Sequence, residues 1–226
     1  MPHRSPHPIE RESYRILRAL VDLPALGLGP LSCAVAERVI HASADLGYAT
    51  DLVLNEGALT RGLAALRGGV PVVVDARMVA AGITRLPTRC ALDLDQTASD
   101  PTASDPAARD PAASATTRAA AGIRAAARQV GPGAIWVIGC APTALVELLD
   151  LRPDPSLVIG LPVGFVGAVE AKHALAASGL PAVTNRSPKG GSAVAAAALN
   201  ALLYLDLDLD LDFDNDLEPL EPEGEP

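Results

Sequence analysis

Residues 134–172 read AIWVIGCAPTALVELLDLRPDPSLVIGLPVGFVGAVEAK and contain one structural unit twice. In each copy an apolar run, at 134–138 and again at 157–159, is followed by a corner rich in Gly and Pro and then by a helical pattern. Apolar strands that lead into helices through short loops are typical of a parallel sheet covered on both faces. The repeat therefore predicts a three-layer α/β/α fold with a mainly parallel sheet in a single domain.

Further elements extend this pattern in both directions along the chain. The sequence predicts helices over 13–23, 31–45 and 116–129, strands over 70–74 and 181–184, and a final Ala-rich helix to about Tyr204. In sheets of this kind, ligands bind beyond the carboxyl ends of the strands. We therefore expect the functional site at the two corners of the repeat and at the loops beside them.

Two low-complexity segments interrupt or follow the predicted α/β domain, which we expect to span residues 1–205. Residues 98–115, ASDPTASDPAARDPAASA, repeat Asp-Pro three times and predict an exposed, mobile loop. Residues 206–226 form an acidic tail with ten carboxylates and no Lys or Arg. Its Leu/Asp alternation has the period of a strand, but charge repulsion and the prolines at 219 and 222 favour disorder.

Composition restricts the classes of protein that this chain can belong to. It has 49% hydrophobic but only 3% aromatic residues, and no apolar run reaches the length of a membrane helix. The net charge of −9 comes from the tail, which leaves the rest at +1 and argues against a nucleic-acid partner. Three scattered cysteines and an N-terminus without an apolar signal segment predict a cytoplasmic protein with reduced thiols.

Common cofactor and hydrolase motifs are absent from the sequence. The glycines at 160, 164 and 167 do not have the G-x-G-x-x-G spacing of a dinucleotide site, and no G-x-S-x-G elbow occurs. No His, Cys, Asp and Glu residues have the spacing of metal ligands. The turn Lys189-Gly190-Gly191-Ser192 precedes a helix and could bind an anion or could serve only to reverse the chain.

The leading candidate for chemistry is His41. In a helix, Glu37, His41 and Asp45 lie at i, i+4 and i+8, with Arg38 one turn before the histidine. An imidazole flanked by two carboxylates and a guanidinium can act as an acid or a base near neutral pH. The alternative interpretation is an ordinary solvated helix face, which spacing alone favours.

Several long blocks together resemble one enzyme family. They are IERESYRILR, ERVIHASAD, VVVDARMVAAGITR, TTRAAAGIR, GCAPTAL, IGLPVGFVGAVEAK and KGGSAVAAAALNALL, in this order over residues 8–204. The chain resembles the precorrin-8X methylmutases of cobalamin biosynthesis. Enzymes of this family move a methyl group from ring carbon 11 to ring carbon 12 of a tetrapyrrole, giving hydrogenobyrinic acid, without a methyl donor or a redox cofactor.

The resemblance implies roles for particular residues. His41 would be the catalytic general acid, and substrate-binding roles would fall to Ser13, Arg38, Thr84, Arg85, Thr117, Arg118, Gly190, Gly191 and Ser192. Without the resemblance, Ser13 would be interpreted as a helix cap or surface hydroxyl and Thr117-Arg118 as an ordinary helix start. The segment 98–115 departs from the family and lies just upstream of Arg118.

The resemblance also implies that the protein is a homodimer with no cofactor and no resident metal. Two other functions stay open from the residues alone. One is an α/β enzyme that uses a phosphate ligand bound at Gly190-Gly191-Ser192, and the other is a corrinoid carrier without turnover. The sequence does not distinguish a metal-free from a cobalt-containing substrate.

Overall fold

Short apolar runs form the strands at the centre of the molecule. A computed structural model describes residues 7–94 and 117–207, so that the segment 98–115 and tail residues 208–226 lie outside the described residues. The strands are β1 (Leu52–Val53), β2 (Val72–Val74), β3 (Arg89–Cys90), β4 (Ile135–Ile138), β5 (Leu157–Gly160) and β6 (Ala182–Asn185).

These strands form one sheet in the order β1-β6-β5-β4-β2-β3. All neighbours are parallel except β1, which runs antiparallel to β6 at one edge. In the central register Trp136 lies between Val73 and Val158. The predicted mainly parallel sheet is confirmed.

Helices cover both faces of this sheet. One face packs against α2 (Pro30–Ser43), α4 (Glu56–Arg67), α5 (Arg77–Gly82) and α10 (Ser192–Leu207). The other face packs against α6 (Ala91–Leu94), α7 (Arg118–Val130), α8 (Pro142–Leu151) and α9 (Ala168–Ala177). Helix α1 (Pro8–Leu20) packs on α2, and the short α3 (Tyr48–Asp51) precedes β1. The predicted three-layer single domain is confirmed for the described residues.

Alternating strand residues supply two separate cores. Ile135, Val137 and Ile159 belong to the core beside α2 and α10, whereas Trp136 and Val158 belong to the core beside α7, α8 and α9. All of these side chains are fully buried. Burial on both faces explains why the strands read as continuous apolar runs.

Helix boundaries differ modestly from the sequence expectation. Helix α1 begins at Pro8, five residues before the predicted start, because Pro8 occupies the first turn and the His7 side chain accepts a hydrogen bond from the Ile9 N–H. His7 is thus a helix cap. Helix α4 was not anticipated, and its N-cap is Asn55, whose side chain accepts from the Ala58 N–H at 2.9 Å.

A buried carboxylate holds the first corner of the repeat. Asp75 follows β2, is 1% exposed, and accepts hydrogen bonds from the N–H groups of Gly139, Cys140 and Ala141 at 2.8–3.0 Å. Burial raises the pKa of Asp75, although the three N–H donors oppose that rise. The carboxylate fixes the position at which β4 turns into α8.

Helix α10 lies close to the sheet because its inward side chains are small. Ala195–Ala198 are all buried, and a Cβ added at Gly139 would lie 2.9 Å from the Cβ of Ala195. A Cβ added at Gly82 would lie 2.7 Å from the Cβ of Ala196. In the described ranges, no helix is long and apolar enough to cross a lipid bilayer.

The contact between α5 and α10 gives a stability prediction. Gly82→Ala should lower the free energy of unfolding by about 1–3 kcal/mol because the new methyl group overlaps Ala196. Ala196→Gly should cost less stability in the Gly82→Ala background than in the wild type, so that a double-mutant cycle followed by urea unfolding shows a coupling of at least about 0.5 kcal/mol. Ala193→Gly, at an exposed position of α10, is the matched control and should be additive with Gly82→Ala. Additivity with Ala196→Gly as well would contradict the prediction.

Candidate active site

Helix α1 brings two side chains onto the imidazole of His41. Ser13 Oγ lies 2.8 Å from His41 Nδ1, and the Tyr14 ring stacks on the imidazole with centroids 4.8 Å apart and planes 17° apart. His41 itself is partly buried. Because Ser13 occupies Nδ1, the nitrogen left to face a ligand is Nε2, in either neutral tautomer or in the imidazolium.

The two carboxylates that flank His41 in sequence make other contacts. Glu37 accepts two hydrogen bonds from the Arg18 guanidinium, at 2.8 and 2.9 Å. Asp45 forms an ion pair with Lys189 Nζ at 2.8 Å. The groups in direct contact with the imidazole are therefore a hydroxyl and an aromatic ring, in place of the carboxylates that helical spacing suggests.

Two arginines meet at one ring beside the histidine. Arg38 donates to Glu10 at 2.6 Å and to the Tyr14 hydroxyl at 3.0 Å, and its guanidinium lies 4.6 Å from the centroid of Tyr204. The Arg85 guanidinium lies 3.9 Å from the same ring. Burial raises the pKa of Tyr14, with the guanidinium of Arg38 opposing that rise. We call Ser13, Tyr14, Arg38, His41, Arg85 and Tyr204 the histidine cluster.

Thr84 is exposed and adjoins Arg85 in the chain. Both guanidinium groups are attracted by the quadrupole of the Tyr204 ring, and that of Arg38 is also paired with the Glu10 carboxylate. Arg85 forms no ion pair among the described residues, so its guanidinium is the one that can receive an anion. The cluster thus combines an acid or base with a cationic edge suited to a carboxylate.

Residues 187–192, which we call the glycine turn, lie at the carboxyl end of β6. Gly191 N–H donates to the Leu161 carbonyl at 2.9 Å, and Gly164 N–H donates to the Pro188 carbonyl at 3.1 Å. Gly190 has φ +152°, and a Cβ there would lie 2.2 Å from the Leu161 carbonyl oxygen. Close backbone packing thus explains why position 190 is glycine, whether or not the turn also binds a ligand.

A buried lysine lies behind the glycine turn. Lys172 on α9 is 0% exposed, and its Nζ donates to Asn185 Oδ1 at 2.9 Å, to the Lys189 carbonyl at 2.7 Å and to the Ser187 carbonyl. Burial lowers the pKa of Lys172 to about 8, and Asp51 opposes that decrease. No motif in the sequence distinguishes Lys172 from the exposed His173 beside it, so its burial could not be predicted.

Asp51 closes the network from the other side. It accepts from Asn185 Nδ2 at 2.8 Å, from the Ser187 hydroxyl at 2.7 Å and from the Ser187 N–H at 2.9 Å. Burial raises the pKa of Asp51, but these hydrogen bonds outweigh burial, so that the pKa lies below its ordinary value of 3.8. The carboxylate and the ammonium of Lys172 are therefore linked through Asn185.

Lys189 connects the glycine turn to the helix that carries His41. Its Nζ pairs with Asp45, one turn beyond His41, and lies 4.6 Å from the centroid of Tyr48. Burial raises the pKa of Tyr48 to about 12, and Asp45 and Asp51 add to that rise. The glycine turn and the histidine cluster are thus joined through the C-terminal end of α2.

Thr117 and Arg118 lie at the N-terminus of α7, on the opposite face of the sheet from α2. Thr117 caps this helix by accepting from the Ala120 N–H at 3.2 Å, and its hydroxyl lies 2.7 Å from the hydroxyl of Thr143. Arg118 is exposed. The contacts of these two residues do not join them to the histidine cluster within residues 7–94 and 117–207.

The tyrosines are the main residues that sequence reasoning missed. The chain has three, and each lies against a cation: Tyr14 under Arg18, Tyr48 under Lys189, and Tyr204 under Arg38 and Arg85. Tyr14 follows Ser13 directly, and Tyr204 directly follows the last block used for the resemblance. Because the chain has so few aromatic residues, the position of a tyrosine beside a candidate block was the sequence signal that could have identified these residues.

The described ranges hold no group of three or more His, Cys, Asp or Glu side chains arranged to bind a metal ion.

The fold and the histidine cluster together define an α/β enzyme with an imidazole at its centre and several cations around it. Such an arrangement suits proton transfer to a large anionic ligand.

Comparison with known proteins identifies the family. The family model for precorrin-8X methylmutase matches residues 8–205. A cobalt-precorrin-8 methylmutase of Methanothermobacter thermautotrophicus is 40% identical over 201 residues, which cover 87% of this chain and 92% of that protein. A precorrin-8X methylmutase of Pseudomonas aeruginosa is 40% identical over 200 residues, covering 86% and 93%.

A solved structure agrees with these sequence matches. The precorrin-8X methylmutase of Thermus thermophilus has a TM-score of 0.74 and 33% identity, covering 91% of this chain and all of that one. The chain therefore belongs to the precorrin-8X methylmutase family, a family of isomerases in cobalamin biosynthesis that move a methyl group within a tetrapyrrole.

The Asp51 network gives a prediction for the pH dependence of stability. Since the folded pKa of Asp51 is lowered, its carboxylate stabilises the fold above pH 3.8, and that contribution is lost as the pH falls through the lowered value. At pH 7, Asp51→Asn should lower the free energy of unfolding by about 1–3 kcal/mol. Urea unfolding should show this difference shrinking in acid.

The matched control is Asp150→Asn on α8, where the side chain is exposed. It should change stability by less than about 0.5 kcal/mol at either pH. A difference between wild type and Asp51→Asn that stays constant from pH 7 to below pH 3.8 would refute the assignment.

Proposed function

We propose that this protein moves the methyl group on ring carbon 11 of precorrin-8X, or of its cobalt-containing equivalent, to ring carbon 12. The product is hydrogenobyrinic acid or its cobalt counterpart. The observation that carries the proposal is the geometry of His41, whose Nδ1 is hydrogen-bonded to Ser13 and whose ring is stacked on Tyr14. This leaves Nε2 as the atom that meets the substrate.

His41 acts as a general acid in this proposal. Nε2 donates a proton or a hydrogen bond to the macrocycle, which makes the conjugated ring electron-poor at the carbon that receives the methyl group. The bond from carbon 11 to the methyl carbon breaks as the bond to carbon 12 forms, and the proton then returns to His41. Assistance of this kind is typically worth about 10²–10⁴ in rate.

The cations near His41 support binding of a substrate that carries carboxylates around its edge. Arg38 and Arg85 share the Tyr204 ring, and Thr84 lies beside them. The helix start at Gly190, Gly191 and Ser192 lies at the carboxyl edge of the sheet, where the N–H groups of Gly190 and Ser192 would receive an anion while that of Gly191 donates to the Leu161 carbonyl. These residues would hold carboxylates at separate points and fix the orientation of the ring.

Thr117 and Arg118 would bind a more distant carboxylate. They lie at a helix start on the other face of the sheet, and the exposed guanidinium is free to move toward a large ligand. The substrate is broad enough to contact several loops, so a separate location is compatible with the role that the family resemblance implies.

An exposed apolar loop adds support for a flat, apolar ligand. Phe165 is 97% exposed and Val166 is 89% exposed, in the loop between β5 and α9. Gly164 ties this loop to the glycine turn through the Pro188 carbonyl. An exposed aromatic ring at the carboxyl edge of a parallel sheet offers a surface for the macrocycle.

The test is conversion of precorrin-8X followed by visible absorption, because the methyl shift changes the conjugation of the ring. His41→Ala should lower kcat by about 10²–10⁴ and leave macrocycle binding largely unchanged. His173→Ala, at an exposed site on α9, is the control and should retain full activity. A fully active His41→Ala variant would show that another group supplies the proton.

The wild-type protein distinguishes the remaining alternatives in the same assay. Conversion of the cobalt-containing substrate alone would assign that form as the natural one. Binding of both forms without conversion would identify a carrier, and an absence of binding to either would overturn the proposal.

We also propose a cytoplasmic homodimer with no resident cofactor and no nucleic-acid partner. The family resemblance supports the dimer, and the free thiols of Cys33, Cys90 and Cys140 are consistent with a reducing compartment. Sedimentation equilibrium should give about twice the chain mass of 23.1 kDa. A mass of one chain across the micromolar range would contradict the dimer, and recovery in the membrane or secreted fraction would contradict the location.

A further inference from the structure

The buried ammonium of Lys172 is a charged group that the proposed mechanism leaves unused. Lysine is almost never fully buried, because removing an ammonium from water is costly unless hydrogen bonds compensate. Here three acceptors take its three N–H groups: the Asn185 side chain and the carbonyls of Ser187 and Lys189. Such full satisfaction indicates a site built to hold a charge.

All three acceptors belong to one short stretch of chain. Asn185 ends β6, and Ser187 and Lys189 lie in the glycine turn. A single ammonium thus fixes the side chain of one residue and the carbonyl groups of two others within five residues. Because the carbonyls of Ser187 and Lys189 both accept from Lys172, the backbone conformation of residues 187–189 is fixed before the chain reaches Gly190.

Asp51 locks the same stretch from the opposite side. It accepts from the Ser187 hydroxyl, the Ser187 N–H and the Asn185 amide. The turn is therefore held between an ammonium that binds its carbonyl oxygens and a carboxylate that binds its donors. Gly190 and Gly191 have φ of +152° and +120°, and glycine loses more conformational freedom on folding than other residues. The contacts of Lys172 and Asp51 with residues 185–189 therefore determine how well the glycine turn is ordered.

We propose that Lys172 is a positioning residue for substrate binding, because it orders the glycine turn in the conformation that receives the macrocycle. The inference rests on the proposed function, in which Gly190, Gly191 and Ser192 contact the substrate. Lys172 does not touch the substrate itself, since its ammonium is enclosed by protein. Its effect belongs to the binding step and not to proton transfer by His41.

Lys172→Met tests this inference, since methionine keeps the unbranched side chain at one atom less in length and removes the ammonium. Steady-state kinetics should show KM raised by about tenfold or more, with kcat within about threefold of wild type. His173→Ala, the next residue on α9, is the matched control and should leave KM unchanged. Measurements are made well below the unfolding midpoint of each variant, so that loss of stability does not contribute.

Ser187→Ala is the second variant, and it tests whether order in the glycine turn affects KM if Lys172→Met does not fold. It removes the hydroxyl that donates to Asp51 but leaves the buried charge satisfied by Asn185 and the two carbonyls, and it should raise KM by a smaller factor. An unchanged KM in a folded variant would overturn the inference, as would a fall in kcat with KM unchanged. A wild-type protein without activity would instead refute the proposed function.

Discussion

The close approach of α10 to the sheet is the constraint on which the rest of the structure depends. Alanines at the inward positions of α10 meet glycines at 82 and 139, so that the helix lies against the strands with no room for a larger side chain. Helix α2 packs along α10 and runs in the opposite direction: Asp45 beyond its end meets Lys189, and Arg38 meets Tyr204. His41 owes its location to this pair of helices.

The site combines segments that are far apart in the chain. Helix α1 supplies the hydroxyl and the ring that contact His41, and the end of α10 supplies the ring shared by Arg38 and Arg85. Each contact depends on how whole helices pack, because the partners are separated by 28 residues in one case and by more than 100 in another. An imidazole held in this way has one nitrogen committed to the protein and one available for chemistry.

The sequence predicts the fold class and the central strands, but it identifies only part of the site. The apolar runs at 134–138 and 157–159 identify β4 and β5, because a strand buried on both faces is apolar at every position. Strands β1 and β3 have two residues each, too short to produce a pattern.

Helical spacing placed Glu37 and Asp45 beside His41, yet Arg18 and Lys189 bind those carboxylates, and both cations come from other elements. Lys172 was missed for the same reason, since its acceptors are two carbonyls and an amide that only the folded chain brings together.

The uneven distribution of aromatic residues gives the protein two separate optical reporters. Trp136 is the one tryptophan of the chain, and it is fully buried in the core beside α7, α8 and α9, with its indole N–H unpaired among the described residues. The three tyrosines all lie on the side of the sheet that carries the histidine cluster. Tryptophan emission therefore registers the integrity of the core beside α7, α8 and α9, whereas tyrosine absorption registers changes on the opposite side of the sheet, so that the two faces can be followed separately in a single unlabelled sample.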